Sequence, residues 1–512
     1  TTSNGLERDI AAELAWSGEP GYLRLNIEDR SADNYEDGGG DEVRSAYAED
    51  SVYLAGGLRF RDRDRLELAL ERTETTDALF PGAGMDAPED ESDQVRLRYR
   101  GYDLAGLDAL SVELYRTHVE HLMDNYSNRP LTMPMALRVP SRSDTTGARI
   151  VGEFTTGGDL EWTVGVDYQR NERSATRFMG LTMDNVEMVQ SYLWPDASLE
   201  QAGAFAEVRW ALSAGRSLKA GLRYDRVSAD ADAADADPPS PMLPAPNGLY
   251  QQYYGVTHDG EISEDNWGGL LRFEQRFSER WTGFAGLSQT VRTADASERF
   301  LAAANPVPMM RWIGNPGLDP ETHRQADAGL VFQAGDHRLD GVVYYDDVSD
   351  YILRDRAHGQ GDVLRDDNAT VYRNVDATLY GVEGSWTWRV GGGWEALPAT
   401  PPESPPPEVW RALRALLRGA AHARRPHATD ARIDARWAKA REGNARLFDG
   451  SKFRLHRIAL DAHGDVVIEL GLTGYREYLG TNRLPAAALR QLEADGQADH
   501  ANPRAHLSDA LG

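Results

Sequence analysis

The chain has 512 residues, a net charge of −27 and a mean hydropathy of −0.56. No run of about 18 apolar residues occurs, which excludes a membrane-spanning helix but not a wall of spanning strands, whose alternating residues average out as hydrophilic. Cysteine is absent, which excludes disulfides and thiolate metal centres.

The acidity is unevenly placed. Residues 393–512 carry 17 Lys+Arg against 15 Asp+Glu, leaving 38 against 67 in residues 1–392. Such a surface disfavours nucleic acid and suits cation capture, or a lipopolysaccharide surface bridged by divalent ions. A merely solvated surface is the plain alternative. The opening Thr1-Thr2-Ser3-Asn4-Gly5 has neither the charged nor the apolar region of a signal, so either a signal was removed or the chain starts within a longer protein.

Along residues 1–392 several segments alternate strictly. Leu66, Leu68 and Leu70 oppose Glu67 and Glu71; Val95, Leu97 and Tyr99 oppose Gln94, Arg96, Arg98 and Arg100. Leu160, Trp162, Val164, Val166 and Tyr168 share one face; Leu218, Ala220, Leu222 and Tyr224 share another. Period-2 alternation gives one apolar and one wet face. A soluble sandwich would alternate too. The heavy charge on the wet faces and segments of about 10 to 14 residues favour spanning strands.

The connections alternate in length. Short turns are expected near Ser17-Gly18-Glu19, Asp62-Arg63, Leu104-Ala105-Gly106, Gly157-Gly158-Asp159, Ala214-Gly215-Arg216, Ser278-Glu279 and Gly335-Asp336. Long loops are expected near 30–50, 74–92, 120–145, 172–199, 227–263, 293–324 and 352–368. Short turns at one end and long loops at the other are the pattern of an outer-membrane barrel. About fifteen strands fit in this region.

Three runs carry a family resemblance. They are Ile313-Gly314-Asn315-Pro316-Gly317-Leu318-Asp319-Pro320-Glu321 with Asp327-Ala328-Gly329-Leu330 and Asp350-Tyr351-Ile352 downstream; Arg292-Thr293-Ala294-Asp295-Ala296-Ser297-Glu298-Arg299-Phe300; and Asn374-Val375-Asp376-Ala377 with Gly381-Val382-Glu383. Together they resemble the barrel of TonB-dependent outer-membrane receptors. The resemblance implies outer-membrane localisation, contact with lipid, a TonB partner system and a monomer. Barrels of that family have 22 strands around a plug, so this reading expects a barrel lacking plug, TonB box and last strands.

His118-Val119-Glu120-His121-Leu122-Met123-Asp124-Asn125-Tyr126 falls where a strand runs into a long loop. Positions i and i+2 of a strand point the same way, so imidazole and thioether can converge. Within the family this resembles the copper receptors, whose loop carries His-x-Met before Asp-Asn-Tyr. That likeness makes His121 and Met123 metal ligands, and Met133 and Met135 in the loop beyond are further candidate ligands. Thioether plus imidazole suits Cu(I). Copper would be transported ligand; no cofactor is required. All ten methionines fall in the expected loops and none in an expected strand. Either soft-metal capture or loop packing accounts for that. His118 and Glu120 read as strand-end surface groups. The run Ala229 to Asp237 lacks the Gly and terminal Glu of an EF-hand and reads as a flexible acidic loop.

At Gly391-Gly392-Gly393 the alternation stops, and a Pro-rich linker over 393–409 follows. Trp410 to Arg418 reads as a helix and Val466 to Leu470 as a strand. Leu447-Phe448-Asp449, Lys452-Phe453-Arg454-Leu455-His456 and Leu470 to Asn482 resemble the N-terminal half of the Nudix-like UDP-glucose diphosphatases. That resemblance makes Tyr475, Arg476, Thr481 and Asn482 sugar-nucleotide contacts, or makes Tyr475 and Arg476 braces of the fold. The Gly-x5-Glu-x7-Arg-Glu pattern that would hold Mg²⁺ is not in the sequence, so no diphosphatase activity is expected.

The expected fold is mainly β: a partial antiparallel transmembrane β-barrel over 1–392, followed by a small α+β fragment over 410–512. The expected function is a receptor for uptake of a metal or metal complex, copper above others, truncated and fused, and not an enzyme. The alternatives are a UDP-sugar-binding or diphosphatase-type protein acting through the C-terminal piece, or a fused product with no function as a unit.

Overall fold

A computed structural model describes residues 7–61, 63–132, 134–238 and 243–390, together with the backbone of 454–460 and 466–479. Seventeen long strands are present among the described residues. They begin with β1 (Glu7–Gly18), β2 (Gly21–Ala32), β3 (Tyr47–Phe60), β4 (Asp64–Ala78), β5 (Asp86–Leu104) and β6 (Leu107–Asp124). Next come β7 (Ala136–Thr156), β8 (Leu160–Gly180), β9 (Met188–Ser213), β10 (Arg216–Ala231), β11 (Ile262–Arg276) and β12 (Trp281–Arg292). The last are β13 (Glu321–Ala334), β14 (His337–Arg356), β15 (Thr370–Val390), β16 (Arg454–Leu460) and β17 (Val466–Leu479).

From β1 to β15 each strand pairs antiparallel with the next. β15 then pairs with β17, and β17 with β16. Among the described residues β1 has no second neighbour, so the sheet is one open wall. Fifteen long strands lie within residues 7–390, as the alternation predicts.

The seven short turns fall where the Gly and Asp residues placed them. Gly106, Gly157, Gly158, Gly215 and Gly335 adopt positive φ there, a conformation glycine takes at little cost. The long loops are shorter than expected, and the strands run to 26 residues instead of 10 to 14. Hydrogen-bonded ladders continue past the apolar band into water, where the pattern no longer alternates but the backbone still pairs. The Asp-Ala run is a second correction. Ala229–Ala231 complete β10, and Ala229, Ala231 and Ala234 pack with Ala197, Ala296 and Phe300. The alternation there buries alanine and leaves aspartate at the edge of the cluster.

Register separates the two faces. Leu68, Leu97, Leu114, Ala148 and Tyr168 stand opposite one another in turn. On this face large apolar side chains are exposed: Val95, Leu114, Ile150, Val166, Trp210, Leu222, Trp267 and Leu287. A continuous apolar surface of this kind needs a hydrocarbon solvent. Near the short turns the same face carries stacked Phe60–Tyr99 and Phe154–Trp162, and Trp281 against Phe332. These form the interfacial aromatic girdle of a membrane wall.

The opposite face is polar. Arg98 lies between Glu67 and Glu113, Arg223 holds Asp167 at 2.7 Å, and Lys219 holds Glu207 at 2.8 Å. Half-exposed pairs of this kind contribute at most about 1 kcal/mol each, so they keep this face wet more than they stabilise it. Bulky residues lie flat across glycines of the neighbouring strand: Phe205 on Gly165, Phe284 on Gly329, Tyr344 on Gly381. A Cβ at Gly165 would stand 2.6 Å from the Phe205 ring.

Two variants test this packing. Elsewhere in a strand Gly→Ala gains about 0.5 to 1 kcal/mol. Gly165→Ala is expected instead to lose about 1 to 3 kcal/mol by overpacking. Gly384→Ala is the control, because its Cβ meets nothing closer than 3.4 Å. Urea unfolding from lipid vesicles reads both; equal midpoints would show that the ring does not depend on the glycine.

Candidate functional site

The long-loop end of the wall is where chemistry-bearing side chains gather. On β6, His121 and Met123 share the polar face with Tyr115, by strand alternation. His121 Nδ1 lies 2.8 Å from Asp90 Oδ2, its register partner on β5. A carboxylate on Nδ1 fixes the ring and turns Nε2 toward a ligand. His118, on the other face, meets Asp144 at 2.9 Å and Glu120 at 3.4 Å.

Asp124 and Asn125 fold the loop beyond. Buried Asp124 accepts hydrogen bonds from the Tyr126 and Ser127 amides and from Ser127 Oγ. Asn125 Oδ1 accepts from the Leu137 amide at 2.8 Å, and its Nδ2 donates to the Met135 carbonyl at 3.1 Å. The Asp-Asn pair therefore brings Met135 back beside the strand that carries His121 and Met123. Met133 lies outside the described residues.

The methionine placement needs a correction. Met123, Met179 and Met188 sit in strands, at their loop ends, because those strands outrun the expected boundaries. Met183, Met188, Met309 and Met310 are exposed. Among the described residues no group of three or more His, Asp or Glu is arranged to hold a metal ion. A soft site here would draw on thioethers as well as imidazole.

A buried carboxylate ties three loops together. Asp86, fully buried, accepts from Arg129 Nε at 2.8 Å, from Arg44 at 2.5 Å and from the Phe80 amide at 3.1 Å. Arg44 also donates to the Asn128 carbonyl and Arg129 to the Ala83 carbonyl. Burial pushes the Asp86 carboxyl up, but the hydrogen bonds from Arg129, Phe80 and Arg44 outweigh it and hold the pKa below the usual range. The sequence reading missed this clasp, because its three charged residues lie on separate segments.

A second clasp explains two of the motif runs. Asp295 caps the five-residue helix α2 (Ala296–Phe300), with Glu298 completing a capping box. Buried Arg299 donates to Glu264 at 2.5 Å and to the Leu318 carbonyl at 3.1 Å. The Asn315 amide donates to the Glu298 carbonyl at 2.8 Å, and Arg292 joins Glu298 and Glu321. The Asp-Ala-Ser-Glu-Arg run and the Gly-Asn-Pro loop are two halves of one structure. Beneath them lies helix α1 (Pro246–Tyr254) of the preceding loop, which starts on proline and ends at Gly255 with φ 73°. It packs Leu249, Tyr250 and Tyr253 against Ile313 and Val371. Arg177 reaches in from β8 to Gln190 and the Ala304 carbonyl, and burial pushes its guanidinium down to about 10.

Tyr475 and Arg476 lie in β17, opposite Gly381 and Tyr380 of β15. Thr481, Asn482, the Pro-rich linker and the expected helix at 410–418 lie outside the described residues.

The chain matches the family described as TonB dependent receptor-like, beta-barrel, over residues 16–445. It belongs to that family. The receptor's wall is similar to that of the copper transporter OprC, with a TM-score of 0.61 and 23% identity over 76% of this chain and 58% of the other. It is also similar to the Serratia marcescens hemophore receptor HasR, with a TM-score of 0.53 and 16% identity over 76% and 63%. These likenesses concern the fold, and the match spans about three fifths of each of those chains. Membership places the receptor in the outer membrane, in the context of the TonB system.

A shorter segment is similar to another protein. Over 97 residues it is 40% identical to the uridine diphosphate glucose pyrophosphatase NUDT22 of Mus musculus, and over 98 residues 42% identical to that of Homo sapiens. The match takes in 18% of this chain and about three tenths of those relatives' length.

The Asp86 clasp gives a prediction with a defined sign. Its folded pKa is depressed, so its contribution is full above the unfolded carboxylate pKa of about 3.9 and is lost as pH falls through the folded value. Asp86→Asn is expected to cost about 2 to 3 kcal/mol at neutral pH, by stranding two guanidinium groups. Hydrogen exchange across residues 79–85 and 125–132 should speed up together in the variant, and together in the parent on acidification. Exchange confined to one loop would show that the clasp does not couple them.

Proposed function

We propose that the receptor takes up a metal or a metal complex, with copper as its transported ion. The observation that carries this reading is the pair His121 and Met123 on one face of β6, with Asp90 behind the imidazole. Imidazole with thioether prefers Cu(I) to harder ions. The Asp124-Asn125 fold that returns Met135 to the same hairpin supports it, as do exposed Met183, Met188, Met309 and Met310 and the likeness to the copper transporter OprC. His121, Met123, Met133 and Met135 are the proposed ligands. The acidic barrel surface concentrates cations near the wall.

The proposed segments are a receptor wall over 1–392, a linker over 393–409 and a Nudix-like segment over 410–512. A second reading has its own support in the NUDT22 likeness: a sugar-nucleotide contact through Tyr475, Arg476, Thr481 and Asn482. UDP-glucose raising the melting temperature of the whole chain would favour it.

Cu(I) titration against a chromophoric chelator tests the first reading. The His121→Ala, Met123→Ala double variant is expected to lose binding, and Asp90→Asn to weaken it about tenfold. Bound copper should also protect Met123 and Met135 from peroxide. Unchanged affinity in the double variant sinks the proposal.

A further inference from the structure

The edge of β15 sets a problem that the chain's own C-terminal segment answers. A strand edge facing hydrocarbon leaves N–H and C=O groups that lipid cannot satisfy. β17 covers this edge over fourteen antiparallel register pairs, from Ala377↔Leu479 to Val390↔Val466. Its own far side is covered in turn by β16.

The register is in phase with the wall. Val382, Gly384 and Trp386 occupy lipid-side positions of β15, and they stand opposite Gly474, Leu472 and Leu470. Glu383 and Thr387, at lumen-side positions, stand opposite Thr473 and Glu469. Val466, Ile468, Leu470 and Leu472 thus fall at lipid-side positions, with Arg476 the exception, and Glu469, Thr473 and Glu477 fall at lumen-side positions beside Val467 and Leu479. Arg476, the first charge in the lipid-side series, falls opposite Tyr380, which itself stands opposite exposed Tyr345 of β14. It falls three residues from the loop end of the pairing, at Ala377↔Leu479. A slip of one residue would put Glu469 and Glu477 into lipid.

We propose that Val466–Leu479 is a wall strand of this receptor, seated in cis on the edge of β15. The occupant is a segment of the same chain, because both flanks of β17 pair within it and its alternation continues that of β15. The two uses of this segment then exclude each other. A strand fixed in the wall places Tyr475 and Arg476 at adjacent positions on opposite faces, so they do not converge on one sugar nucleotide.

The chain holds no cysteine, so two introduced thiols are the only ones present. The experiment uses the full chain in lipid vesicles under mild oxidation, read by mobility without reductant. Directly opposed strand residues lie within disulfide reach. Ser385→Cys with Gly471→Cys is expected to bridge within the monomer. Asp340→Cys with Ser385→Cys, a register pair of β14 and β15, reports that the wall has formed. Ser385→Cys with Glu477→Cys is about 20 Å out of register and is expected to give roughly tenfold less bridge. A bridge at 340–385 without one at 385–471 overturns the proposal. So does a bridged dimer, which would put a second copy on the edge. Equal bridging at 471 and 477 overturns it as unspecific contact, and absence of every bridge overturns the wall on which it stands.

Discussion

Every backbone N–H and C=O in the hydrocarbon layer must find a partner within the protein. The rest of this structure follows from that constraint. It requires a continuous ladder, and the ladder requires antiparallel neighbours joined by tight turns at one end. The ladder sends alternate side chains to lipid and to water, so Leu68, Leu97 and Leu114 line up on one side while Glu67, Arg98 and Glu113 line up on the other. The same constraint makes an unpaired edge costly and gives the pairing of β15 with β17 its physical sense.

Above the lipid the organising force changes. The loops pack small apolar clusters of their own, such as Leu249, Tyr250 and Tyr253 with Ile313 and Val371, and buried charge ties them together. Asp86 gathers two arginines from two loops, and Arg299 gathers Glu264 and the carbonyls of the Gly-Asn-Pro loop. A buried ion with several hydrogen bonds specifies one loop arrangement among many, and removing one partner is far more disruptive than losing a surface pair. The motif runs that mark the family are, in this chain, parts of such clasps. Their task here is to hold the loop end of the wall in one arrangement.

The candidate metal site was half legible. Period-2 spacing puts His121 and Met123 on one face, since that follows from strand geometry alone. Asp90 was not legible, because it lies 31 residues away and meets His121 through cross-strand register. The Asp86 clasp was invisible for the same reason. The loop boundaries were misjudged because apolar alternation reports the bilayer and not the ladder. Alternation therefore assigns Met123, Met179 and Met188 to loops, whereas their backbones are in strands.

By itself the sequence determined the number of long strands within residues 1–392, their two faces and the end at which the loops gather. Those properties are local: alternation of period 2 and glycine at positive φ are written residue by residue. Only the tertiary structure decided which loops are tied together, which carboxylate stands behind His121 and what lies on the edge of β15. Those depend on register between strands far apart in the chain, and register is set by the whole ladder at once.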